Sequence, residues 1–387
     1  MQAQLFKKDM IKNGRSSSSN TPTPHHKTGT VNLHRGSYGL PKNGIPNTIQ
    51  LHLNENLFLA AQTPKEQIAD LAARHLTNLH AYPTAGTQLL QQAIAAKYGI
   101  NPDKIVITNG SSELLRSLVL YLCQQDDTIL LPAPGWSFYK AIANLINANI
   151  ETFSLRKVEN GFIYEKQQII NAIEATNPKA VLICSPNNPT GSVMPIADLF
   201  SLVQTYPHVN FILDEAYYGF SDHYTARDEK RLLKLTDQGN LYVTRSFSKS
   251  YGLANLRIGF VITNEQCGRA LTQLAPTFGI PTFSQALAAQ RIADSEFAKQ
   301  LKAEYALVND YMQSTLTKIP GLAPFATAAN FILCRHDSRW HQLEKMLLQH
   351  GYMIKRETIL GANNYFRITY ADIETMQHLV SLIERYI

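Results

Sequence analysis

The feature that most constrains the fold is an alternation of short apolar runs with helical segments over residues 49–280. Runs such as 104–108, 180–184 and 210–213 are mostly aliphatic and β-branched. Such runs are typical of strands that are covered on both faces. Helical segments separate these runs. The alternation predicts an α/β fold, with a three-layer α/β/α domain built around a mostly parallel sheet.

The pattern changes after about residue 280. A long helical segment over 295–317 is followed by two short strands and two further helices. This order predicts a smaller α+β domain. We therefore expect an N-terminal arm with part of the small domain over 31–80, a large domain over 81–280 and a small C-terminal domain over 281–387.

Residues 1–30 differ from the remainder of the chain, with a run of serines, a Thr-Pro repeat and few apolar side chains. We expect a disordered tail, because such a segment cannot bury enough apolar surface to offset the entropy lost on folding. Its Ser-rich, basic and acid-poor composition leaves an organelle transit peptide as the alternative. A secretory signal is not expected, since no apolar segment follows the basic residues.

The net charge of +6 does not indicate a nucleic-acid-binding protein. The first 30 residues hold five of the 36 basic residues and one of the 30 acidic residues, so the other 357 residues are nearly neutral. No apolar run approaches the ~18 residues of a membrane-spanning helix. The four cysteines lie more than sixty residues apart and form no CxxC pair. We expect reduced cysteines, a cytoplasmic location and no metal site.

Polar residues follow several of the predicted strands directly, and ligands of doubly wound sheets bind at the carboxyl ends of strands. A helix begins after one strand, and small residues there offer free backbone N–H groups that suit a phosphate. Each of these groups alone has a structural explanation, such as a cap, a turn or an ion pair. The residues are Gly110, Ser111 and Ser112 at the helix, and Asn188, Asp214, Lys249 and Arg257 at the other strands.

Pyridoxal 5'-phosphate is the ligand that fits this combination. Its phosphate suits the helix start together with Ser246, Ser248 and Arg257. Its aldehyde can bond to the amine of Lys249. Its ring nitrogen needs a carboxylate to stay protonated, and Asp214 can supply one.

The same motifs resemble one family over residues 49–387. The order NGSSE, SPNNPTG, DEAY and SFSKSYGLANLRIGF is similar to that of fold-type-I pyridoxal-phosphate enzymes, the class I/II aminotransferases. The resemblance implies that Lys249 bonds the cofactor and moves protons, and that Asp214 is the partner of the ring nitrogen. It also implies that Asn188 and Tyr217 bind the ring hydroxyl and that Trp136 stacks on the ring. The substrate carboxylate would be held by Arg367.

Two further motifs resemble a subgroup, the histidinol-phosphate aminotransferases and the related threonine-phosphate decarboxylases. They are Asn54-Glu55-Asn56 and Tyr82-Pro83. The resemblance implies a homodimer in which Tyr82 reaches the neighbouring cofactor phosphate, and it places Asn54, Glu55 and Lys355 among the substrate-binding residues. The chain departs from the subgroup where Lys355 stands in place of an arginine and Arg356 follows it. A shift of one residue turns a side chain to the other face of a strand.

We therefore expect a transaminase that acts on an amino acid or an amino-alcohol phosphate, with histidinol phosphate favoured, and on a 2-oxo acid such as 2-oxoglutarate. The alternative is a decarboxylase of a phosphorylated amino acid, which would use the same cofactor and the same lysine. A third alternative is a non-catalytic binding protein on the same fold. The presence of Lys249 argues against this third alternative.

Overall fold

The computed structural model describes residues 48–84, 86–337 and 342–386. The tail predicted over 1–30, and the arm as far as residue 47, lie outside the described residues. Fifteen strands are found in the described part of the chain. The strands are β1 Ile49–Gln50, β2 Ile105–Thr108, β3 Thr128–Ala133, β4 Asn149–Ser154, β5 Arg156–Val158, β6 Gly161–Ile163, β7 Ala180–Cys184, β8 Asn210–Asp214, β9 Leu241–Ser246, β10 Gly259–Ile262, β11 Leu322–Pro324, β12 Phe331–His336, β13 Tyr352–Met353, β14 Lys355–Ile359 and β15 Ala362–Thr369.

Twelve α-helices alternate with these strands in the described residues, and short 3₁₀ turns complete the connections. The helices are α1 Lys65–His75, α2 Gln88–Tyr98, α3 Ser111–Leu122, α4 Phe138–Leu145, α5 Lys166–Thr176, α6 Ile196–Thr205, α7 Ala226–Leu235, α8 Glu265–Leu274, α9 Thr282–Ala293, α10 Ser295–Leu316, α11 Leu343–Gln349 and α12 Ile373–Arg385.

The large sheet has seven strands in the order β2-β10-β9-β8-β7-β3-β4. Strand β10 runs antiparallel to both of its neighbours, and the other pairs are parallel. Side chains alternate between two cores. Leu182 of β7 packs with α3 and α4 on one face, whereas Val181 and Ile183 pack with α5 and α6 on the other. The predicted α/β/α layering with a mostly parallel sheet is therefore confirmed.

The C-terminal part of the chain forms an antiparallel sheet in the order β11-β12-β15-β14. Helices α10, α11 and α12 pack on this sheet around a core that also includes Leu51 and Phe58. Strand β1 pairs with β13 in a separate two-stranded sheet, and the segment before α1 contributes to the same C-terminal core. The domain limits at residues 80 and 280 remain predictions.

The runs predicted as strands at 104–108, 180–184 and 210–213 match β2, β7 and β8 to within one residue, and the helical segment predicted over 295–317 matches α10. Helices α7, α8 and α9 were not predicted from the sequence. Helix α7 begins with a capping box between Thr225 and Asp228, which is a recognisable sequence signal. Within the described ranges, no helix has both the length and the apolar character needed to span a bilayer, and no cluster of three or more metal-ligating side chains occurs.

Candidate active site

The carboxyl ends of β7, β8 and β9 border a cavity of about 250 Å³, which we call the Lys249 cavity. Parallel strands bring their carboxyl ends to one edge of a sheet, which is why motifs far apart in sequence meet there. Most of the predicted cofactor residues line it. These lining residues are Ser111, Ser112, Trp136, Asn188, Asp214, Tyr217, Ser246, Ser248, Lys249 and Arg257, together with Glu55.

One end of the cavity is built from the start of α3 and the side chain of Arg257. The Nη1 atom of Arg257 donates to Ser248 Oγ at 3.2 Å. A Cβ on Gly110 would lie 2.5 Å from Arg257 Nη2, and a Cβ on Gly259 would lie 2.5 Å from the backbone nitrogen of Ser111. Both glycines therefore permit the close approach of the arginine and of β10 to the helix start. The free N–H groups of α3 and the guanidinium together suit a phosphate.

Asp214 ends β8 as a fully buried carboxylate, with 1% of its surface exposed. Tyr139 donates its hydroxyl to Asp214 Oδ2 at 2.8 Å, and Thr244 donates to Oδ1 at 3.2 Å. No cationic side chain among the described residues forms an ion pair with it. Burial raises the pKa of Asp214, and the hydrogen bonds from Tyr139, the Ala216 amide and Thr244 oppose this rise. A cation adjacent to this carboxylate would be stabilised strongly.

Lys249 lies in the turn after β9, and its Nζ donates to the backbone oxygen of Leu53 at 2.8 Å. The ammonium also lies 5.8 Å from the centre of the Tyr217 ring. Burial, and to a lesser degree the charge of Arg367, lower the pKa of Lys249 to about 7, and the charge of Glu55 opposes this fall. A large part of this side chain is therefore a neutral amine near pH 7, and a neutral amine is the nucleophilic form.

Tyr217 is held between two asparagine side chains. Asn54 Nδ2 donates to the Tyr217 hydroxyl at 2.9 Å, and Asn188 Nδ2 donates to it at 3.2 Å. Asn54 is buried and also exchanges hydrogen bonds with Thr369. Asn54 thus orients Tyr217 rather than lining the Lys249 cavity, and its assignment as a substrate residue remains a prediction.

A second cavity of about 530 Å³, the Arg367 cavity, shares Trp136, Tyr139 and Asn188 with the first. Arg367 is buried in β15. Its Nη1 donates to Asn188 Oδ1 and its Nη2 donates to the backbone oxygen of His52 at 3.0 Å. The Nε atom is buried and has no hydrogen-bond partner among the described residues. These contacts hold the guanidinium of Arg367 in place, and its Nε–H can still donate a hydrogen bond.

Strand β14 contributes alternating charges to the Arg367 cavity. Lys355 is the register partner of Arg367 on β15, and Glu357 Oε1 lies 3.4 Å from Arg367 Nη1. Burial raises the pKa of Glu357, and the positive charges of Arg367 and Lys355 oppose this rise. Arg356 forms an ion pair with Glu344 of α11 at 3.2 Å. Lys355 and Arg356 are successive residues of β14, with Arg367 and Phe366 as their register partners, and the substrate role of Lys355 remains a prediction.

Tyr82, a further predicted site residue, is absent from the lining of both cavities. It is 72% exposed, and its ring stacks on that of Phe278 with centroids 4.7 Å apart. Its assignment to a neighbouring subunit's site remains a prediction. Tyr139, His52 and Glu357 were not identified from the sequence, because no local motif marks them.

The described residues fit pyridoxal phosphate on the evidence of their own geometry. A buried carboxylate, Asp214, lacks a cationic partner, and a depressed-pKa amine lies in the same cavity. Gly110 and Gly259 leave room for the cradle that Ser248 and Arg257 complete. Such a donor set matches a phosphate at one end and a protonated ring nitrogen at the other.

Comparison with known proteins gives consistent results. The family model "Aminotransferase class I and II" matches residues 46–383. A curated histidinol-phosphate aminotransferase 2 of Carboxydothermus hydrogenoformans is 29% identical over 329 residues, which is 84% of this chain and 87% of that protein. A histidinol-phosphate aminotransferase of a Geobacillus species is also 29% identical, over 87% of this chain and 89% of that protein.

Solved structures share the fold. The histidinol-phosphate aminotransferase of Sinorhizobium meliloti, solved in complex with pyridoxal-5'-phosphate, superimposes with a TM-score of 0.77 at 22% identity, over 88% of this chain and 90% of that one. The L-threonine-O-3-phosphate decarboxylase of Porphyromonas gingivalis gives a TM-score of 0.70 at 19% identity, over 86% of this chain and 99% of that one. At these identities the likeness concerns the fold alone.

Proposed function

Because the chain belongs to the aminotransferase class I and II family, we propose that it moves an amino group between an amino-alcohol phosphate or amino acid and a 2-oxo acid. Membership makes it a transaminase that depends on pyridoxal phosphate. Histidinol phosphate is the favoured donor and 2-oxoglutarate the favoured acceptor. The relatives at 26–29% identity are named histidinol-phosphate aminotransferases, which supports this choice of donor.

The observation that carries the proposal is the charge of the Arg367 cavity. Four of the described residues that line it are cationic and one, Glu357, is acidic. A transaminase binds donor and acceptor in turn in one cavity, so this cavity has to accept both a phosphate ester and a dicarboxylate. An excess of positive charge suits both. The cationic residues are Lys140, Lys355, Arg356 and Arg367.

The residues of this chain divide the reaction between them. Pyridoxal phosphate supplies an aldehyde that bonds the amino group and a ring that accepts the electron pair left on the α-carbon. The neutral amine of Lys249 would remove the α-proton of the substrate as a general base and would return that proton as a general acid. Asp214 would keep the ring nitrogen protonated, and the hydroxyl of Tyr139 donates the hydrogen bond that orients Asp214.

Arg367 would bind the carboxylate of the amino acid or oxo acid through its Nε and Nη2 atoms, a fork that suits carboxylate oxygens. Its contacts with Asn188 and with the His52 backbone keep the guanidinium next to the Lys249 cavity. This position supports transfer at the α-carbon rather than at a distal amine.

The homodimer and the cytoplasmic location belong to the same proposal. Tyr82 and Phe278 form an exposed apolar patch through their stacked rings, and Leu79 is 78% exposed. A second copy of the chain would cover such a patch. Sedimentation of the purified protein tests this part, and a monomer at micromolar concentration would contradict it.

The test of the proposed function is a half-reaction screen. The cofactor-loaded enzyme is mixed with histidinol phosphate, histidinol, glutamate or O-phosphothreonine, and the loss of the lysine-bound cofactor absorbance is followed. Histidinol phosphate should react about 10-fold or more faster than histidinol at low concentration, because its phosphate adds charge-assisted hydrogen bonds. Equal rates for the two would contradict the choice of donor.

The same screen separates the decarboxylase alternative. Carbon dioxide released from O-phosphothreonine, with no oxo acid formed, would identify a decarboxylase. An oxo product and the aminated form of the cofactor are the results we expect.

A further inference from the structure

His52 is a buried histidine at the edge of the Arg367 cavity. It is 4% exposed and lies among the residues that line this cavity. Its two ring nitrogens, Nδ1 and Nε2, are both buried, and neither has a hydrogen-bond partner among the described residues. Buried polar side-chain atoms nearly always have such a partner, because leaving one unsatisfied costs about 1–3 kcal/mol. The side chain therefore calls for an explanation that its packing does not provide.

The fold fixes the backbone of His52 next to the cationic strands. Strand β1 pairs with β13, and the amide of Thr369 donates to the oxygen of Leu51 at 2.8 Å. Arg367 Nη2 then donates to the backbone oxygen of His52 itself. The arginine that is expected to hold the substrate carboxylate thus also holds the backbone of this histidine.

The surroundings of the imidazole favour its neutral form. Burial lowers the pKa of His52, and the charges of Lys355 and Arg367 lower it further. The neutral ring has one N–H donor and one acceptor nitrogen. A donor surrounded by cations is well placed to bind an oxyanion, since the anion also interacts favourably with both cations.

We propose that His52 is a substrate-binding residue whose imidazole N–H donates to a distal oxyanion of the substrate, with Lys355 as the neighbouring cation. The proposal rests on the proposed function only in taking this cavity as the substrate cavity. The oxyanion is a phosphate in an amino-alcohol phosphate and the distal carboxylate in a 2-oxo dicarboxylate. Both present the same chemistry to the ring, namely an oxygen with excess negative charge.

The experiment uses the cofactor-loaded enzyme, so that the cofactor phosphate fills its own subsite. Inorganic phosphate and 2-oxoglutarate are the probes, and their binding is measured by calorimetry for wild type, His52→Leu and His52→Gln. The leucine removes the ring donor at similar volume. The glutamine amide restores an N–H donor in a similar position.

Loss of a hydrogen bond to a charged group predicts about a 10-fold or larger rise in the dissociation constants for His52→Leu. His52→Gln should restore them to within about 3-fold of wild type. The effect should appear in the KM for 2-oxoglutarate and be absent for pyruvate, which has no distal carboxylate. The change in the dissociation constant for phosphate, compared with that for 2-oxoglutarate, then shows whether His52 binds the phosphate, the distal carboxylate or both.

His336→Leu is the matched control. His336 is 7% exposed in β12 and does not line the Arg367 cavity. This variant should lower the melting temperature as much as His52→Leu or more, and leave the binding of both probes unchanged. A loss of binding in His336→Leu would mean that destabilisation alone explains the result, and the proposal would fail.

Wild-type binding of both probes by His52→Leu would overturn the proposal, and so would wild-type enzyme that binds neither probe. Neither result depends on the amino donor. If the probes bind through His52 while histidinol phosphate fails as a donor, the proposed function is wrong and the role of His52 stands. If histidinol phosphate reacts as a donor and His52→Leu binds both probes like wild type, the proposed function stands and the proposed role of His52 is wrong.

Discussion

The Lys249 cavity and the Arg367 cavity share a wall but differ in how their polar groups are partnered. In the first, Asp214 and Tyr217 accept hydrogen bonds from neighbours that the fold holds in place. In the second, both nitrogens of His52 and the Nε of Arg367 lack a partner among the described residues. A resident cofactor suits a preorganised site, whereas exchanging substrates need groups whose hydrogen bonds are not already taken.

The two cavities also differ in which segments of the chain contribute their lining residues. The Lys249 cavity is built largely at the strand ends of one parallel sheet. The Arg367 cavity combines the segment before α1, the connection from β3 to α4, and the hairpin β14–β15. Substitutions in the first cavity should therefore remove the chemistry, and substitutions in the second should change which substrates are accepted.

The largest effect is expected for Lys249→Ala. Loss of the amine removes both the covalent attachment and the general base, so turnover should fall by at least about 10³-fold. The lysine-bound absorbance should disappear as well. Lys299→Ala, which changes an exposed lysine of α10, is the control and should behave as wild type. Substantial turnover by Lys249→Ala would refute the assigned role.

Arg367→Lys should come next in magnitude. A lysine keeps the charge but cannot form the two-pronged contact with a carboxylate. We expect kcat/KM for amino-acid and oxo-acid substrates to fall by about 10–100-fold, mostly through KM. Arg335→Lys serves as the control, since Arg335 is an exposed arginine of β12 and lines neither cavity. If both variants lose activity equally, the fork assigned to Arg367 is wrong.

The capture of cofactor should depend on pH through Lys249. Its pKa of about 7 means that the reactive neutral form is lost as the pH falls below that value. The rate constant for capture of pyridoxal phosphate by the apoprotein should fall about tenfold per pH unit below pH 7 and level off above it. A midpoint near the ordinary lysine value of about 10.4 would contradict this.

Glu55→Gln is the matched variant for the pH experiment. The Glu55 carboxylate raises the pKa of Lys249, so its neutralisation should move the midpoint of capture to lower pH. Capture by free lysine, followed over the same pH range, corrects for ionisation of the cofactor itself.

The smallest effect is expected for Glu357→Gln. This carboxylate lies 3.4 Å from Arg367 and supplies negative charge to a cavity that binds anions. Its neutralisation should lower the KM for 2-oxoglutarate by about 3–10-fold, because one repulsive charge is removed and the arginine is released. Glu344→Gln, which alters the partner of Arg356 instead, should leave KM unchanged. A higher KM in Glu357→Gln would show that the acid positions Arg367 rather than competing for it.

Much of the fold and of the Lys249 cavity could be predicted because their signals are local. An apolar run followed by a polar residue marks both a strand and the site at its end, as at Asp214 and Asn188. Helix α9 was not predicted because its apolar residues do not alternate with a clear polar face. The helix is packed against α1 and α2, so much of its surface is buried. Tyr139 was not predicted as a site residue because its hydrogen-bond partner, Asp214, lies 75 residues away in the sequence.

The sequence by itself determined the alternation of strands and helices, the family and the groups available for chemistry, since these depend on residue type and on short spacings. The tertiary structure decided which groups meet. The pairing of β1 with β13 places His52 near Lys355 and Arg367, and the register of β14 on β15 aligns Lys355 with Arg367. It also decided the pKa of Lys249, because desolvation and neighbouring charges depend on burial and distance, which residue order does not specify.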